Sequence, residues 1–407
     1  MTQRVKTSSG KELIVFVLLF LAAMNFGAKF FYFVILSFLI VFVKRGRIEF
    51  NTVSILYLLL CTVMGVYNFK GGLMHVLRCF APFCFYLVGL NLISDVPTAI
   101  PDSQKVDYVQ KKGYAILTVI SLGAFVHYAL NFLYNIGNSV GRNTNDIWTG
   151  SRMAATGQNA LICLMLGLSC ALLFLPPKKW HRWGGVASLL LMLAYNMVLS
   201  CRTMLVMLGI LLLIGVMYPK KNTTYGTQLL ENLTRLIIIC GIAFVVYKFN
   251  IGGIQRLIRE STLFSRFEGS FTYLVDIESR VHTKMRFLTQ LVDYPFGDCH
   301  IRSMYGYAHD LLLDAYDEYG MLVFCMLCCI LIIGMVQLFS LLRRTGYTES
   351  FMLMLLLIYC AILLEFAVEP ILVGMPWLFS CYCLINGCVT GMNRIFFSTI
   401  KRNEYQE

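Results

Sequence analysis

The chain is dominated by long, continuous stretches of apolar residues separated by short polar segments. In two of the clearest stretches, 204–216 and 321–336, every residue is apolar. Inside a lipid bilayer every backbone N–H and C=O group must be hydrogen-bonded without water, so spanning structures are α-helices or closed β-barrels. Barrel strands alternate apolar and polar residues. Because these stretches show no such alternation, they predict membrane-spanning α-helices.

A membrane span needs roughly 20 residues, and fewer where flanking side chains reach back to the interface. Applied along the chain, this criterion predicts about a dozen spans. They cover residues 12–26, 29–43, 51–68, 73–94, 113–135, 154–175, 185–200, 203–218, 235–249, 319–342, 351–368 and 374–397. The predicted fold class is therefore all-α, with one polytopic membrane domain over residues 1–407 and one large loop at 250–318.

The composition of the chain supports this class. Hydrophobic residues make up 58% of the sequence and charged residues only 14%, whereas a soluble domain is about half apolar and about a quarter charged. The net charge of +12 would suggest nucleic acid in a soluble protein. In a membrane protein the location of the charges matters more than their sum, so we expect no nucleic-acid partner.

Basic residues are unevenly distributed between the two sides of the predicted spans. With the N-terminus inside, the inner segments contain most of them, including Lys44, Arg45, Arg47, Lys105, Lys111, Lys112, Lys178, Lys179, Arg182, Lys220, Lys221, Arg343, Arg344, Lys401 and Arg402. Cytoplasmic segments of membrane proteins are enriched in Lys and Arg. The asymmetry therefore predicts cytoplasmic termini and an extracytoplasmic 250–318 loop.

The 250–318 loop is longer than any other connection and contains short amphipathic helical stretches, so we expect it to be ordered. Most of its basic residues are arginines, with Lys284 as the exception; the arginines are Arg256, Arg259, Arg266, Arg280, Arg286 and Arg302. A guanidinium group can bind phosphate oxygens in a bidentate manner, whereas a lysine ammonium acts as a point charge. This bias indicates a phosphate-bearing ligand.

The inner loops are too short to form a nucleotide-sugar domain, and they contain no Asp-x-Asp metal motif. The space for a site lies outside, where nucleotide-activated donors are absent. Group transfer there should use a donor that the membrane carries, such as a polyprenyl-diphosphate-linked sugar. Such chemistry needs cations for the diphosphate and a base or orienting group for the acceptor hydroxyl.

Polar motifs follow one another in a defined order through the middle of the chain. They are Arg152 with Gly157 and Asn159, then Ser200-Cys-Arg202-Thr203, Arg280, Pro295-Phe-Gly297, His309-Asp310 and Glu318-Tyr-Gly320. In order and placement, over roughly residues 150–320, they resemble the O-antigen polymerase and O-antigen ligase superfamily of bacterial envelope enzymes. The arrangement of the predicted spans resembles that of the superfamily along the whole chain.

The resemblance implies a GT-C-like glycosyltransferase of the bacterial cytoplasmic membrane that needs no metal and no cofactor. It would transfer a glycan from undecaprenyl diphosphate to a sugar hydroxyl. In the polymerase branch, our first interpretation, the acceptor is another lipid-linked repeat unit and the product is capsule, exopolysaccharide or O-antigen. In the ligase branch the acceptor is a lipid A core. The implied partners are the lipid-linked donor and acceptor, membrane lipids, and a flippase and a chain-length regulator of the same pathway.

The resemblance also implies roles for individual residues. His309 would be the base or the group that orients the acceptor, and Arg280 would lie nearest the leaving diphosphate. Binding of the diphosphate and substrate would fall to Arg152, Arg202, Arg286, Arg266 and Asn159. The arginines also have a structural interpretation, since long basic side chains anchor span ends to headgroups and form ion pairs with neighbouring carboxylates.

The segment after His309 has a structural interpretation as well. Asp310 could cap a helix that begins at Leu311, with Asp314 and Asp317 on a solvated face and His309 at its polar rim. Of three further ionisable residues, Arg78 lies within the fourth predicted span, and Glu365 and Glu369 lie toward the outer end of the eleventh. Ionisable residues at that depth are functional or paired, so a structural Arg–Glu bridge and a site for the lipid diphosphate or acceptor both stay open.

A third function belongs to a different class, namely a flippase or other transporter of lipid-linked saccharides. Transporters commonly show internal repeats, helices broken by Gly or Pro, and charges near the membrane midplane. This sequence has one disproportionately long loop, no visible repeat and few midplane charges. These features favour the glycosyltransferase interpretation.

Overall fold

The computed structural model describes residues 10–97, 100–136, 143–219, 224–250, 254–259, 270–344 and 346–404. Most of these residues are helical. The elements up to residue 219 are α1 (Gly10–Ala23), α2 (Phe30–Arg45), α3 (Thr52–Tyr67), α4 (Leu73–Cys79), α5 (Ala81–Ser94), α6 (Asp102–Asn135), β1 (Asn143–Asn145), β2 (Arg152–Ala154), α7 (Ala155–Phe174), α8 (Lys179–Leu199) and α9 (Arg202–Met217).

The remaining elements are helices. They are α10 (Tyr225–Lys248), α11 (Ile254–Arg259), α12 (Ser270–Gln290), α13 (His300–Tyr305), α14 (Leu311–Leu342), α15 (Glu349–Phe366), α16 (Ile371–Gly374) and α17 (Pro376–Glu404). Short 3₁₀ turns at Phe26–Ala28 and Phe69–Gly71 follow α1 and α3.

A helix occupies each of the predicted apolar stretches. Within the described residues, six helical segments are long and apolar enough to cross a membrane. They are Leu73–Ser94, Asp102–Asn135, Ala155–Phe174, Lys179–Leu199, Leu311–Leu342 and Glu349–Phe366. Two shorter apolar helices are Thr52–Tyr67 and Arg202–Met217. The described residues are thus mostly helical and compatible with an all-α membrane protein, and the further predicted spans stay a prediction.

The helices pack closely because glycines allow their backbones to approach. A Cβ added at Gly89 of α5 would lie 2.1 Å from the Leu384 carbonyl oxygen of α17, and one at Gly387 would lie 2.1 Å from the Tyr86 carbonyl oxygen. Small residues at such crossings are typical of helix pairs in membranes, where close van der Waals packing drives association. Helix α7 is surrounded by α6, α8, α9 and α15 and is almost completely buried.

One end of the bundle is held by buried charges. Glu12 of α1 is buried and lies 2.7 Å from the Lys112 ammonium group of α6. Lys44 at the end of α2 contacts both Glu12, at 3.7 Å, and Asp95, at 2.6 Å. Burial acts to raise the pKa of Asp95, but the hydrogen bond and charge of Lys44 bring it below its usual value. Buried carboxylates are tolerated when they are paired in this way.

The opposite end of the bundle carries the segment 270–310, which we call the cap. Its helices α12 and α13 are joined by a small hydrophobic cluster of Phe287, Ile301 and Ala308, which closes on Leu313 of α14. Helix α14 begins at Leu311, inside the segment predicted as the 250–318 loop, as the capping interpretation of Asp310 predicted. Asp310 explains this start, because its carboxylate accepts hydrogen bonds from the N–H groups of Leu312 and Leu313 as an N-cap.

Candidate functional site

The structure brings His309 and Glu369 together at the cap end of the bundle. His309 immediately precedes the N-cap of α14, and its backbone adopts a left-handed conformation with φ of 54°. Its Nδ1 atom lies 3.8 Å from Oε2 of Glu369, which follows α15. The histidine side chain is 36% exposed, whereas that of Glu369 is only 3% exposed. An accessible imidazole therefore sits against a buried carboxylate.

Glu365 continues this acidic site into the bundle. It lies one turn before Glu369 on the same helical path, and the Glu369 N–H donates to the Glu365 carbonyl oxygen. Its Oε2 atom accepts a 2.5 Å hydrogen bond from Nδ2 of Asn159 on α7. Both carboxyl groups and Asn159 are buried. We call Asn159, Glu365, Glu369 and His309 the acid cluster. All four are candidate residues from the sequence, but their pairing is visible only in the structure.

Arg202 begins α9 beside this cluster. The preceding turn is tight because Ser200 adopts a left-handed φ of 56°, and the Asn196 side chain accepts a hydrogen bond from the Cys201 N–H. Further along α9, the Met207 sulfur accepts a 3.2 Å hydrogen bond from Asn159. The first turns of α9 therefore border the buried carboxyl groups, and the Arg202 side chain is largely buried there.

Lys284 of α12 connects the cap to this region. Its ammonium group donates to the Ala367 carbonyl oxygen at 2.7 Å and to Oδ2 of Asp310 at 3.1 Å. Ala367 lies between Glu365 and Glu369, so the lysine is close to the acid cluster. In the sequence Lys284 stands out only as one basic residue of the loop. The contact with Ala367 spans 83 positions of sequence, and no local pattern could have signalled it.

The carboxylates that follow His309 hold the cap on α14. Asp314 accepts hydrogen bonds from the N–H groups of Ala308 and Asp310. Asp317 accepts from the N–H groups of Ile301 and Arg302. The expectation of a solvated face at Asp314 and Asp317 is wrong, since both are buried. Both carboxylates accept hydrogen bonds from backbone N–H groups of the cap, and these bonds take the place of hydrogen bonds to water.

The motifs Pro295-Phe-Gly297 and Glu318-Tyr-Gly320 lie against each other. The Met321 N–H donates to the Pro295 carbonyl oxygen at 2.8 Å. Gly297 and Gly320 have φ values of 76° and 80°, and a Cβ at Gly297 would lie 2.7 Å from the Gly320 nitrogen. Both positions therefore require glycine, for conformation and for space. This contact holds the segment after α12 against α14. A 3.3 Å ion pair between Arg302 of α13 and Glu318 of α14 holds the next part of the cap against the same helix.

Arg152 lies on a β-hairpin that the sequence did not predict. Strand β1 pairs with β2 in antiparallel register, with Asn145 opposite Arg152, and the Arg152 side chain is exposed. The buried Asp146 at the turn accepts a 2.8 Å hydrogen bond from Nε2 of His127. Burial acts to raise the pKa of Asp146, but the His127 contact and the Thr149 N–H bring it below its usual value.

Helix α7 links this hairpin to the acid cluster through two adjacent residues. Gln158 donates a 2.9 Å hydrogen bond to the Thr144 hydroxyl of β1. The next residue, Asn159, donates to Glu365. The start of α7 therefore connects the strand opposite Arg152 with the buried carboxyl groups.

The other candidate residues are placed differently. Arg280 lies on α12 one turn before Lys284, so both belong to the same side of that helix. Arg286 projects from another side and is exposed, with its guanidinium group 4.8 Å from the centre of the Tyr305 ring. Arg266 lies outside the described residues.

Arg78 of α4 does not join the buried glutamates. It is exposed, and its guanidinium group lies 5.7 Å from the centre of the Phe31 ring. No ion pair between Arg78 and Glu365 or Glu369 exists in the part of the chain that the structure describes, so the alternative of a structural Arg–Glu bridge is wrong. The sequence indicated similar depth in the membrane, but it could not indicate which side of each helix faces which neighbour.

No group of three or more His, Cys, Asp and Glu side chains arranged for a metal ion occurs within the described ranges. The acid cluster instead combines an imidazole, two carboxyl groups and a carboxamide beside basic residues. Such a set can accept a proton from a hydroxyl group and hydrogen-bond to polar substrates. Comparison of this chain with protein-family models, curated proteins and solved structures finds no match.

Proposed function

We propose that this protein is a membrane glycosyltransferase that polymerises undecaprenyl-diphosphate-linked repeat units. The observation that carries the proposal is the contact between the accessible His309 and the buried Glu369, with Lys284 and the start of α9 alongside. It supplies a base with a carboxylate partner at one end of a helical membrane bundle. The order of the sequence motifs, which resembles the O-antigen polymerase and ligase superfamily, supports the same chemistry.

In the proposed reaction the acceptor hydroxyl oxygen attacks the anomeric carbon of the donor. A new glycosidic C–O bond forms, the bond from that carbon to the diphosphate oxygen breaks, and undecaprenyl diphosphate leaves with the bonding electrons. His309 takes the hydroxyl proton on Nε2, while Glu369 on the Nδ1 side orients the imidazole and stabilises its protonated form. Arg280, Arg202 and Arg152 compensate the charge of the diphosphate.

The proposal includes the finer architecture expected from the sequence. About twelve spans cross the cytoplasmic membrane in a GT-C-like arrangement, with both termini inside and the cap outside. The acid cluster then opens to the outer side, where the donor diphosphate is presented by the lipid. The short inner loops, which leave no room for a nucleotide-sugar domain, support this orientation.

The test compares conservative and non-conservative variants of the purified protein. Lipid-linked repeat units are supplied without nucleotide sugar or added metal, and polymer length and donor binding are both measured. Changing Arg152, Arg202 or Arg280 to Ala should lower the rate about a hundredfold, because each removes a charge-assisted contact to the diphosphate. The Arg→Lys variants should recover little activity, since the bidentate geometry is lost.

His309→Ala should abolish polymer formation while donor binding is kept, because a base acts on the acceptor hydroxyl. Arg256→Ala, at an exposed arginine of α11, is the matched control and should behave like the unaltered protein. Full activity of the Arg→Lys variants or of His309→Ala would contradict this assignment of the site. A strict requirement for a nucleotide sugar would contradict the proposed donor.

A further inference from the structure

Helix α12 carries an exposed apolar stripe that the proposed site does not use. The stripe consists of Val281, Met285 and Leu288 on the helix and Val292 in the turn that follows it, with exposed fractions of 54%, 53%, 49% and 81%. Their spacing of three and four residues places them on one side of an α-helix. Monomeric soluble proteins rarely expose a large contiguous apolar patch that has no binding partner.

The stripe is separate from the face by which α12 packs onto the protein. That face is formed by Phe287, which is fully buried in the cap cluster, and by Lys284, which contacts Asp310 and Ala367. The side opposite to it is polar and exposed, with Thr289 and Arg286. The stripe lies between the packed face and the polar face. A helix that lies in the plane of a membrane interface has such an apolar face, which enters the lipid while the polar face stays in water.

The height of α12 along the bundle matches a membrane surface. Lys284 binds Ala367, where the candidate span α15 ends, and Asp310, where α14 begins. The helix therefore lies at the level where two membrane helices emerge. The neighbouring Phe296 is 79% exposed, and its carbonyl oxygen accepts a 3.0 Å hydrogen bond from the Tyr67 hydroxyl at the end of α3.

Further exposed apolar side chains lie beyond this point. Phe69, which follows Tyr67 by two positions, is 76% exposed. The exposed Arg286 is turned away from the stripe, with its guanidinium group 4.8 Å from the centre of the Tyr305 ring. Exposed apolar residues therefore occur both on the stripe and at the end of α3, at the same end of the bundle.

We propose that α12 lies in the membrane interface, with Val281, Met285, Leu288 and Val292 among the lipid acyl chains and the polar face of the helix turned away from them. The partner of this surface is the bilayer itself. The interface thus holds the cap at a fixed height above the acid cluster. The inference depends on the membrane location of the chain and not on the proposed reaction.

The test uses a photoreactive residue at single positions of α12. p-Benzoylphenylalanine replaces Leu288 or, as a second position on the stripe, Val281; the control position is Arg286, which is also exposed but lies on the polar side. Purified full-length protein is placed in vesicles of phosphatidylglycerol and phosphatidylethanolamine that contain an alkyne-tailed phospholipid. After irradiation, attachment of a fluorophore to the alkyne reports lipid bound to the protein.

Labelling should be at least several times stronger at 288 and 281 than at 286. Equal labelling at the three positions, or none at 288 and 281, would overturn the proposal. A protein–protein adduct at 288 in place of the lipid adduct would show that a second copy of the chain covers the stripe, and would also overturn it.

Discussion

Glu369 is the residue on which the proposed role of His309 depends. A buried carboxylate 3.8 Å from Nδ1 favours the imidazole orientation that leaves Nε2 for a substrate hydroxyl. It also stabilises the imidazolium that forms when the proton is taken. Because Glu369 is buried beneath the histidine, it should influence the chemical step more than it influences donor binding.

Glu369→Gln should therefore lower kcat by about a hundredfold with little change in KM for the lipid-linked donor. The amide keeps the shape of the side chain but removes the negative charge that stabilises the imidazolium. Steady-state kinetics on both substrates would measure the effect, with Glu349→Gln at the other end of α15 as the control. A raised KM with unchanged kcat would instead make Glu369 a binding residue.

The sequence identified all four residues of the acid cluster but not their pairing. His309 stood out through its motif, and Glu365 and Glu369 stood out because carboxyl groups are rare within apolar helices. Their partners come from distant positions: Asn159 lies 206 residues from Glu365. Arg78 was considered with the glutamates for its depth alone, and the packing of α4 turns it toward Phe31.

At the scale of elements, the junction between the cap and α14 depends on Gly320. Helix α14 contains this single residue with non-helical angles, φ of 80° and ψ of −177°. A Cβ there would lie 2.7 Å from the Pro295 carbonyl oxygen. The glycine thus allows the helix to continue past the chain segment that returns from the cap.

Gly320→Ala should lower the free energy of unfolding for two reasons. The new side chain would be strained by the positive φ, and its Cβ would also clash with the Pro295 carbonyl oxygen. Gly306 is the matched control, since its angles of 79° and −169° are nearly the same but a Cβ there meets nothing within 4 Å. Gly306→Ala should cost about 1–3 kcal/mol in free energy of unfolding. Gly320→Ala should cost clearly more, measured as thermal unfolding in detergent. Equal losses would show that the cap segment moves aside without cost.

The helices themselves followed from the sequence, and the irregular elements did not. Continuous apolar runs mark α7, α9 and α15 because burial in lipid or among helices selects apolar residues on every side. The hairpin β1–β2 has only three residues in each strand, too few for a pattern of alternation. Its position is set by side-chain contacts such as His127 with Asp146, which lie in different elements.

For the whole molecule, the orientation in the membrane is the central expectation. The acid cluster and the buried Glu12–Lys112 pair lie at opposite ends of the bundle, so they should face opposite compartments. The distribution of Lys and Arg predicts that the cap end faces outward.

Single cysteines introduced at Ser303 of the cap and Ser103 at the start of α6 would test this orientation. Both serines are exposed. A membrane-impermeant maleimide applied to intact cells should label Ser303→Cys above the background of the parent chain, and should label Ser103→Cys only after the cells are opened. The reverse pattern would place the cap inside and remove the basis for a lipid-borne donor.

The way the cap closes on α14 has a practical consequence for work with isolated fragments. Its small core is completed by Leu313, and its backbone donors are satisfied by Asp314 and Asp317. A soluble peptide of residues 270–310 would therefore lack Leu313, which covers its hydrophobic cluster, and the two aspartates that accept its backbone hydrogen bonds. Used as an immunogen, such a peptide should raise antibodies that detect the denatured protein on a blot but leave intact cells unstained.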